Sequence, residues 1–338
     1  MLQAIDALPR VPEAPVAALA DVLDSQEPRV IRGLVAGWPL VRAAAGSDRG
    51  AVAYLKRFIN PALPAIATVA PPQAGGRIFY DASMQGFGFR REPVALGVAL
   101  DTLLSHCEDA EPPLIYLGAT TLETHLPDLD AANGVDLGGR EALASIWIGN
   151  RSRVPTHQDL PDNLACVAAG RRRVLLFPPA QLENLYIGPL DVTPAGQPVS
   201  LVDPLAPDLA RFPRFAEAWR HARVAELGPG DAIFMPGMWW HHIEALHPFN
   251  VLVNYWWRRV PAWMDAPVNA LMAAILCIRQ LPAHERAIWQ EVFRHHVFEF
   301  DEAGVAGHIP APVRGALAPL DETRAAHLRH HLVQRLRR

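Results

Sequence analysis

Apolar positions along the first 110 or so residues recur at helical spacing in residues 15–23, 51–59 and 94–104, with a short strand-like run at 29–34. Gly and Pro separate these segments. From Leu114 the pattern shortens to apolar runs at 114–117, 145–148, 164–168, 173–177, 232–235 and 250–257, each bounded by turn residues. Short strands repeated in this way predict a β-sandwich or barrel. Beyond Trp257 helical spacing returns at 268–281 and 284–298, followed by a strongly charged helix at 322–337. The expected layout is a β-rich domain over residues 1–258, its first 112 residues a mixed helix and strand elaboration, and a helical region over 259–338. Helices outside a finished barrel need a partner for their apolar face, so a homodimer through this last region is expected.

A chain of 338 residues, half apolar and one fifth charged, fits an ordinary globular protein of one or two domains. The net charge of −4 gives no sign of a nucleic-acid surface. Lys56 is the sole lysine, so arginine does nearly all the cationic work. Cys107, Cys166 and Cys277 are isolated, which suits reduced thiols in a cytosolic protein better than a disulfide framework or zinc site. No basic segment followed by an apolar run opens the chain, so no signal peptide is expected. The longest apolar helical stretch, 269–277, is far short of the roughly 20 residues that span a bilayer. These features predict a soluble, cytoplasmic protein.

The chemistry concentrates in His157-Gln158-Asp159 and, far downstream, Trp239-Trp240-His241-His242. Residues two apart on a strand face the same side, so His157 and Asp159 can converge on one ion. The strand following Pro229-Gly230-Asp231 offers a third ligand in His241 or His242, and adjacent strand residues face opposite sides, so one of the two enters the site. Two imidazoles and a carboxylate form the facial triad of non-haem Fe(II) oxygenases, although zinc or nickel also suits these donors.

Three segments in register carry a family resemblance: WIGNRSRVPTHQDLPDNLACVAAGRRRVLLFPP, SLVDPLAPDLARFPRF and GPGDAIFMPGMWWHHIEALHPFNVLVNYWW. Together they resemble the cupin-like JmjC oxygenases, with a pattern similar to the asparaginyl hydroxylase that inhibits the hypoxia-inducible factor. The resemblance covers residues 114–257 well and RVIRGLVAGWPL weakly. It implies a double-stranded β-helix, Fe(II), and 2-oxoglutarate as co-substrate. It also implies His241 rather than His242 as the ligand, and Asn163, Asn254 and Tyr116 around the co-substrate. Where the asparaginyl hydroxylase has a lysine to hold the distal carboxylate, this chain has Arg172, whose planar fork grips carboxylates bidentately. Val154 stands where that relative has a hydroxyl, which Thr156 is expected to replace. Trp256, two residues past Asn254, is expected to wall the pocket.

The resemblance thus implies a dioxygenase that uses O₂ and 2-oxoglutarate to hydroxylate a polypeptide side chain or a small molecule, releasing succinate and CO₂. A metal-dependent cupin enzyme without 2-oxoglutarate and a non-catalytic cupin-fold binding protein are the competing readings. The segment 182–222, rich in Pro and aromatics, is expected to form part of the substrate mouth.

Overall fold

The computed structural model describes residues 2–337. Their strands are β1 (Arg29–Ile31), β2 (Ala65–Ala70), β3 (Arg90–Val94), β4 (Leu114–Thr121), β5 (Leu143–Gly149), β6 (Ser152–Gln158), β7 (Asp162–Ala169), β8 (Arg172–Phe177), β9 (Arg223–Leu227), β10 (Ala232–Met235), β11 (Trp240–Ala245) and β12 (Asn250–Trp257). They form an antiparallel sheet of eight, ordered β1-β10-β7-β12-β5-β4-β2-β3, and a second of four, ordered β6-β11-β8-β9. The chain crosses between the sheets repeatedly, as a double-stranded β-helix requires.

Strand periodicity explains where the cores lie. On β7, all eight residues are buried, yet they serve two cores. Leu164, Cys166 and Ala168 pack outward, with the helices Pro39–Gly46, Asp48–Lys56 and Leu96–Ser105 in one cluster. Ala165 and Val167 face the other way, into a cluster with Val174, Leu176, Leu227, Ile233 and Leu252 from both sheets. A period of two thus splits one apolar run between a helix-covered face and the space between the sheets. The small sheet behaves likewise: Leu175, Phe177 and Trp240 join a third core with Phe215 and Trp219, which roofs its outer face.

Several expected elements shift. The run at 29–34 is a strand only over Arg29–Ile31, where it edges the large sheet beside β10. β2, β3, β9 and the helix Pro39–Gly46 were not read from the pattern. The strand after Pro229-Gly230-Asp231 ends at Met235, and a turn through Trp239 separates it from β11, which carries His241 and His242.

The chain divides into two compact units, one ending at Arg259 and the other beginning at Val260. The second contains the helices Pro267–Cys277, Ala283–Phe293, Glu302–Ala306 and Glu322–Leu336, and the Ala283–Phe293 helix runs on into a π-helical turn, Arg294–Phe298. Asp301 and Asp321 cap two of these helices by accepting from the Gly304 and Arg324 N–H groups. Among its described residues only Val305 and Ala306 are buried hydrophobics. No helix of the described residues is long and apolar enough to cross a membrane.

Candidate metal centre

His157 reaches the site through an irregularity in β6. His241 pairs with His157 but Ile243 pairs with Val154, so three steps on β6 oppose two on β11. Such a β-bulge rotates the residues beyond it by one position. Val154 and His157 therefore both face the cavity despite their odd spacing, and Thr156 is not among the cavity's lining residues. Asp159 follows directly after β6, and His241 is the second residue of β11.

These three side chains converge. One ligand atom from each of His157, Asp159 and His241 lies within 4.8 Å of the others. His157 Nε2 is 4.0 Å from Asp159 Oδ1, and His241 Nε2 is 3.6 Å from Asp159 Oδ2. Each imidazole has its Nδ1 against a carbonyl oxygen two residues upstream: Pro155 at 2.8 Å for His157 and Trp239 at 3.0 Å for His241. A carbonyl only accepts, so Nδ1 carries the proton and the Nε2 lone pair is left facing the carboxylate. Burial, with His241 beside it, lowers the His157 pKa to about 4, which keeps it neutral at physiological pH. Burial raises the Asp159 pKa, but the neighbouring His241 and His157 outweigh it and hold the carboxyl below its usual value. Two imidazoles with Nε2 turned inward and one carboxylate are the donor set of a divalent metal, and the residues fit the iron that the triad implies.

A different chemistry lies deeper between the sheets. Arg172 is 3% exposed and Tyr116 8%, and both line the same cavity as the triad. Burial lowers the Arg172 pKa, and its Nε has no partner. Burial raises that of Tyr116, so its phenol stays protonated and can donate. A chain of side-chain hydrogen bonds lines the same cavity. Trp147 Nε1 donates to Asn254 Oδ1 at 2.6 Å, and Asn254 Nδ2 to Asn163 Oδ1 at 3.3 Å. The Trp256 ring meets Trp147 edge-on at 5.6 Å, and its own indole N–H is buried without a partner. The remaining lining is apolar: Val154, Ala165, Ile243 and Leu252. Free space amounts to about 50 Å³, below the roughly 300 Å³ at which ligand pockets begin.

The structure thus brings together His157, Asp159, His241, Tyr116, Asn163, Arg172, Asn254 and Trp256, and leaves out Thr156. The Thr156 hydroxyl is buried without a partner, while its carbonyl accepts from Ser200 N–H at 2.7 Å. His242 lies on the opposite face of β11; burial pushes its pKa down to about 3, and neither ring nitrogen has a partner. The expected substrate mouth splits in two. Val199 bridges His157, whereas Phe212, Phe215 and Trp219 build the core outside the small sheet. Trp147 was missed, although its place in WIGN, at even spacing from Ser145 on β5, assigns it a face.

Comparison with known proteins agrees with this geometry. A model of the cupin-like domain matches residues 15–262. The chain is 30% identical over 179 residues to lysine-specific demethylase JMJ31 of Arabidopsis thaliana, covering 47% of this chain and 32% of that protein. It is 36% identical over 107 residues to tRNA wybutosine-synthesizing protein 5 of Danio rerio, covering 32% and 30%. With lysine-specific demethylase 8 of Xenopus tropicalis it shares 26% identity over 240 residues, covering 69% and 48%. In each case the chain spans less than half the relative's length. A family match over most of the chain, laid on two facing sheets with a His-Asp-His cluster between them, leads to one conclusion: the chain belongs to the cupin-like family of JmjC-type proteins.

Proposed function

We propose that the protein is an Fe(II)- and 2-oxoglutarate-dependent dioxygenase that hydroxylates a C–H bond of its substrate and releases succinate and CO₂. The observation that carries this reading is Arg172, a buried guanidinium with no carboxylate partner among the described residues, in a cavity that also holds the triad. A cation buried without a counter-charge costs several kcal/mol. A dianionic co-substrate supplies the missing charge, and the planar fork suits a carboxylate.

His157, Asp159 and His241 would hold the iron, which when bound supplies the oxidising chemistry. The chain's own residues do the rest. Arg172 and the Tyr116 phenol hold the distal carboxylate, while Asn254, itself fixed by Trp147 and Asn163, presents amide groups to the head of the co-substrate. Val154, Ile243 and Leu252 exclude water from the reacting carbon. With so little free space, entry of a five-carbon diacid displaces side chains at the mouth. Hydroxylation at an N-methyl carbon ends in demethylation, the reaction named for two relatives, while a third is named for tRNA modification. The fold does not choose between a polypeptide and a small molecule.

The apolar C-terminal helices support a homodimer. The helix Pro267–Cys277 has no charged residue and no buried one, and it shares an apolar groove of Leu271, Ile275, Trp289 and Phe293 with the next helix. A second copy offers the same uncharged helix to cover it.

Anaerobic addition of Fe(II) and 2-oxoglutarate should give a weak visible charge-transfer band, and exposure to air should yield succinate. Asp159→Ala should abolish both signals. Arg172→Leu should weaken 2-oxoglutarate binding about 100-fold, corresponding to two charge-assisted hydrogen bonds of about 1.5 kcal/mol each. Unchanged affinity would remove Arg172 as the anchor, and turnover without 2-oxoglutarate would identify a cupin metalloenzyme of another kind.

A further inference from the structure

Asp162 lies three residues past Asp159 but takes no part in the metal cluster. On β7 it shares the outward parity of Leu164 and Cys166, and it is only 7% exposed. Both carboxylate oxygens are engaged. Oδ1 accepts from the Gly237 N–H at 2.8 Å, and Oδ2 from Arg259 Nε. Gly237 belongs to the turn that feeds His241 into β11. The next residue, Met238, donates its N–H to the Asp159 carbonyl at 2.8 Å. This turn is pressed against the loop behind Asp159: a Cβ at Gly237 would lie 2.5 Å from the Leu160 carbonyl oxygen. Met238 has φ +69°, a left-handed conformation unfavourable for any residue but glycine. A strained turn in close backbone contact needs something that holds it there.

Arg259 provides the outer half of that hold. Beyond Asp162, its Nη1 donates to the Asp24 carbonyl at 3.0 Å and its Nη2 to those of Leu23 and Ser25, at 3.1 and 3.0 Å. The same loop receives the Trp239 indole N–H on the Gln26 carbonyl at 3.1 Å. Trp239 in turn supplies the carbonyl that fixes the His241 tautomer. Loop 23–26, Arg259, Asp162 and the 237–239 turn therefore form one continuous set of bonds, ending on the Asp159 carbonyl and the His241 imidazole.

We infer that the Arg259–Asp162 ion pair is a positioning device for the metal centre, setting the separation of Asp159 and His241 through the 237–239 turn. Neither residue touches the metal or a substrate; both act through the backbone that carries the ligands. Outer partners of this kind are worth 10–100-fold in metal affinity. The inference rests on the triad being a metal site, so its test reads metal binding directly.

The full chain, freed of metal, is titrated anaerobically with Co(II) while calorimetry gives the affinity and visible ligand-field absorption reports the geometry. The wild type should bind one ion. Arg259→Ala and Asp162→Asn should each weaken binding by about 10-fold or more and shift the ligand-field bands. The double variant should be no weaker than the worse single one, because the two residues act as a unit. Asp162→Asn preserves volume and an acceptor for Gly237, so it keeps the fold, verified by circular dichroism. Arg259→Lys, which retains the charge, should recover part of the affinity. Affinity within twofold of wild type and unmoved bands in both single variants would overturn the inference, whatever happens to the melting temperature. Failure of the wild type to bind Co(II) would overturn the metal-centre reading itself.

Discussion

The unit that ends at Arg259 and the unit that begins at Val260 contain apolar residues in similar style but dispose of them differently. In the first, strand alternation sends residues to opposite faces, and each face finds a cover: helices outside the large sheet, the second sheet within, and the 185–222 segment beyond the small one. In the second, helical spacing creates apolar faces that stay open, with Leu276 72% and Phe298 78% exposed. Amphipathic pattern shows that a face exists, whereas burial shows whether the chain itself covers it.

The contrast can be broken most readily by truncating one large side chain in each unit. Phe234 is fully buried and stacked on Trp257 at 5.9 Å, so Phe234→Ala should cost about 3–5 kcal/mol in denaturant unfolding of the metal-free protein. Trp289→Ala, at a ring 43% exposed, should cost less than about 1 kcal/mol when measured dilute. Equal losses would mean that the second unit is as well packed as the first. A smaller effect sharpens the question of what covers the open faces. Leu276→Asp should shift sedimentation toward the monomer without changing Co(II) affinity, and a wild type that is monomeric at every concentration would remove the dimer. The subtlest difference is reactivity. Cys277 is exposed and should be alkylated within minutes, while Cys166, fully buried with its thiol pKa pushed up by burial, should resist until the protein unfolds.

Much of the first unit was legible in the sequence because its signals are local. Continuous apolar runs such as 164–168 announce buried strands, and the paired HxD and WWHH segments announce the side chains that the fold brings together. β2 and β9 stayed hidden because AIATVA and RVAEL are short and differ little from helical or loop composition. The role expected of Thr156 failed for a different reason. Parity counted from His157 would turn Val154 away from the cavity, and the β6 bulge turns it inward instead. A bulge is a property of two paired strands, and one strand's sequence does not display it. Asp162 was legible as a carboxylate near the triad, but its engagement with Gly237 and Arg259 depends on residues 75 and 97 positions away.

The tautomers of His157 and His241 are both set by peptide carbonyls two residues upstream rather than by side chains. Point substitutions among the cavity walls cannot delete those acceptors. The scaffold therefore separates what it keeps from what it can vary: walls such as Val154, Ile243 or Trp256 can be exchanged to admit a new substrate while the ring orientation of both histidines stays constant. An architecture with this separation is suited to divergence, in which one His-Asp-His centre is inherited intact while the cavity around it changes.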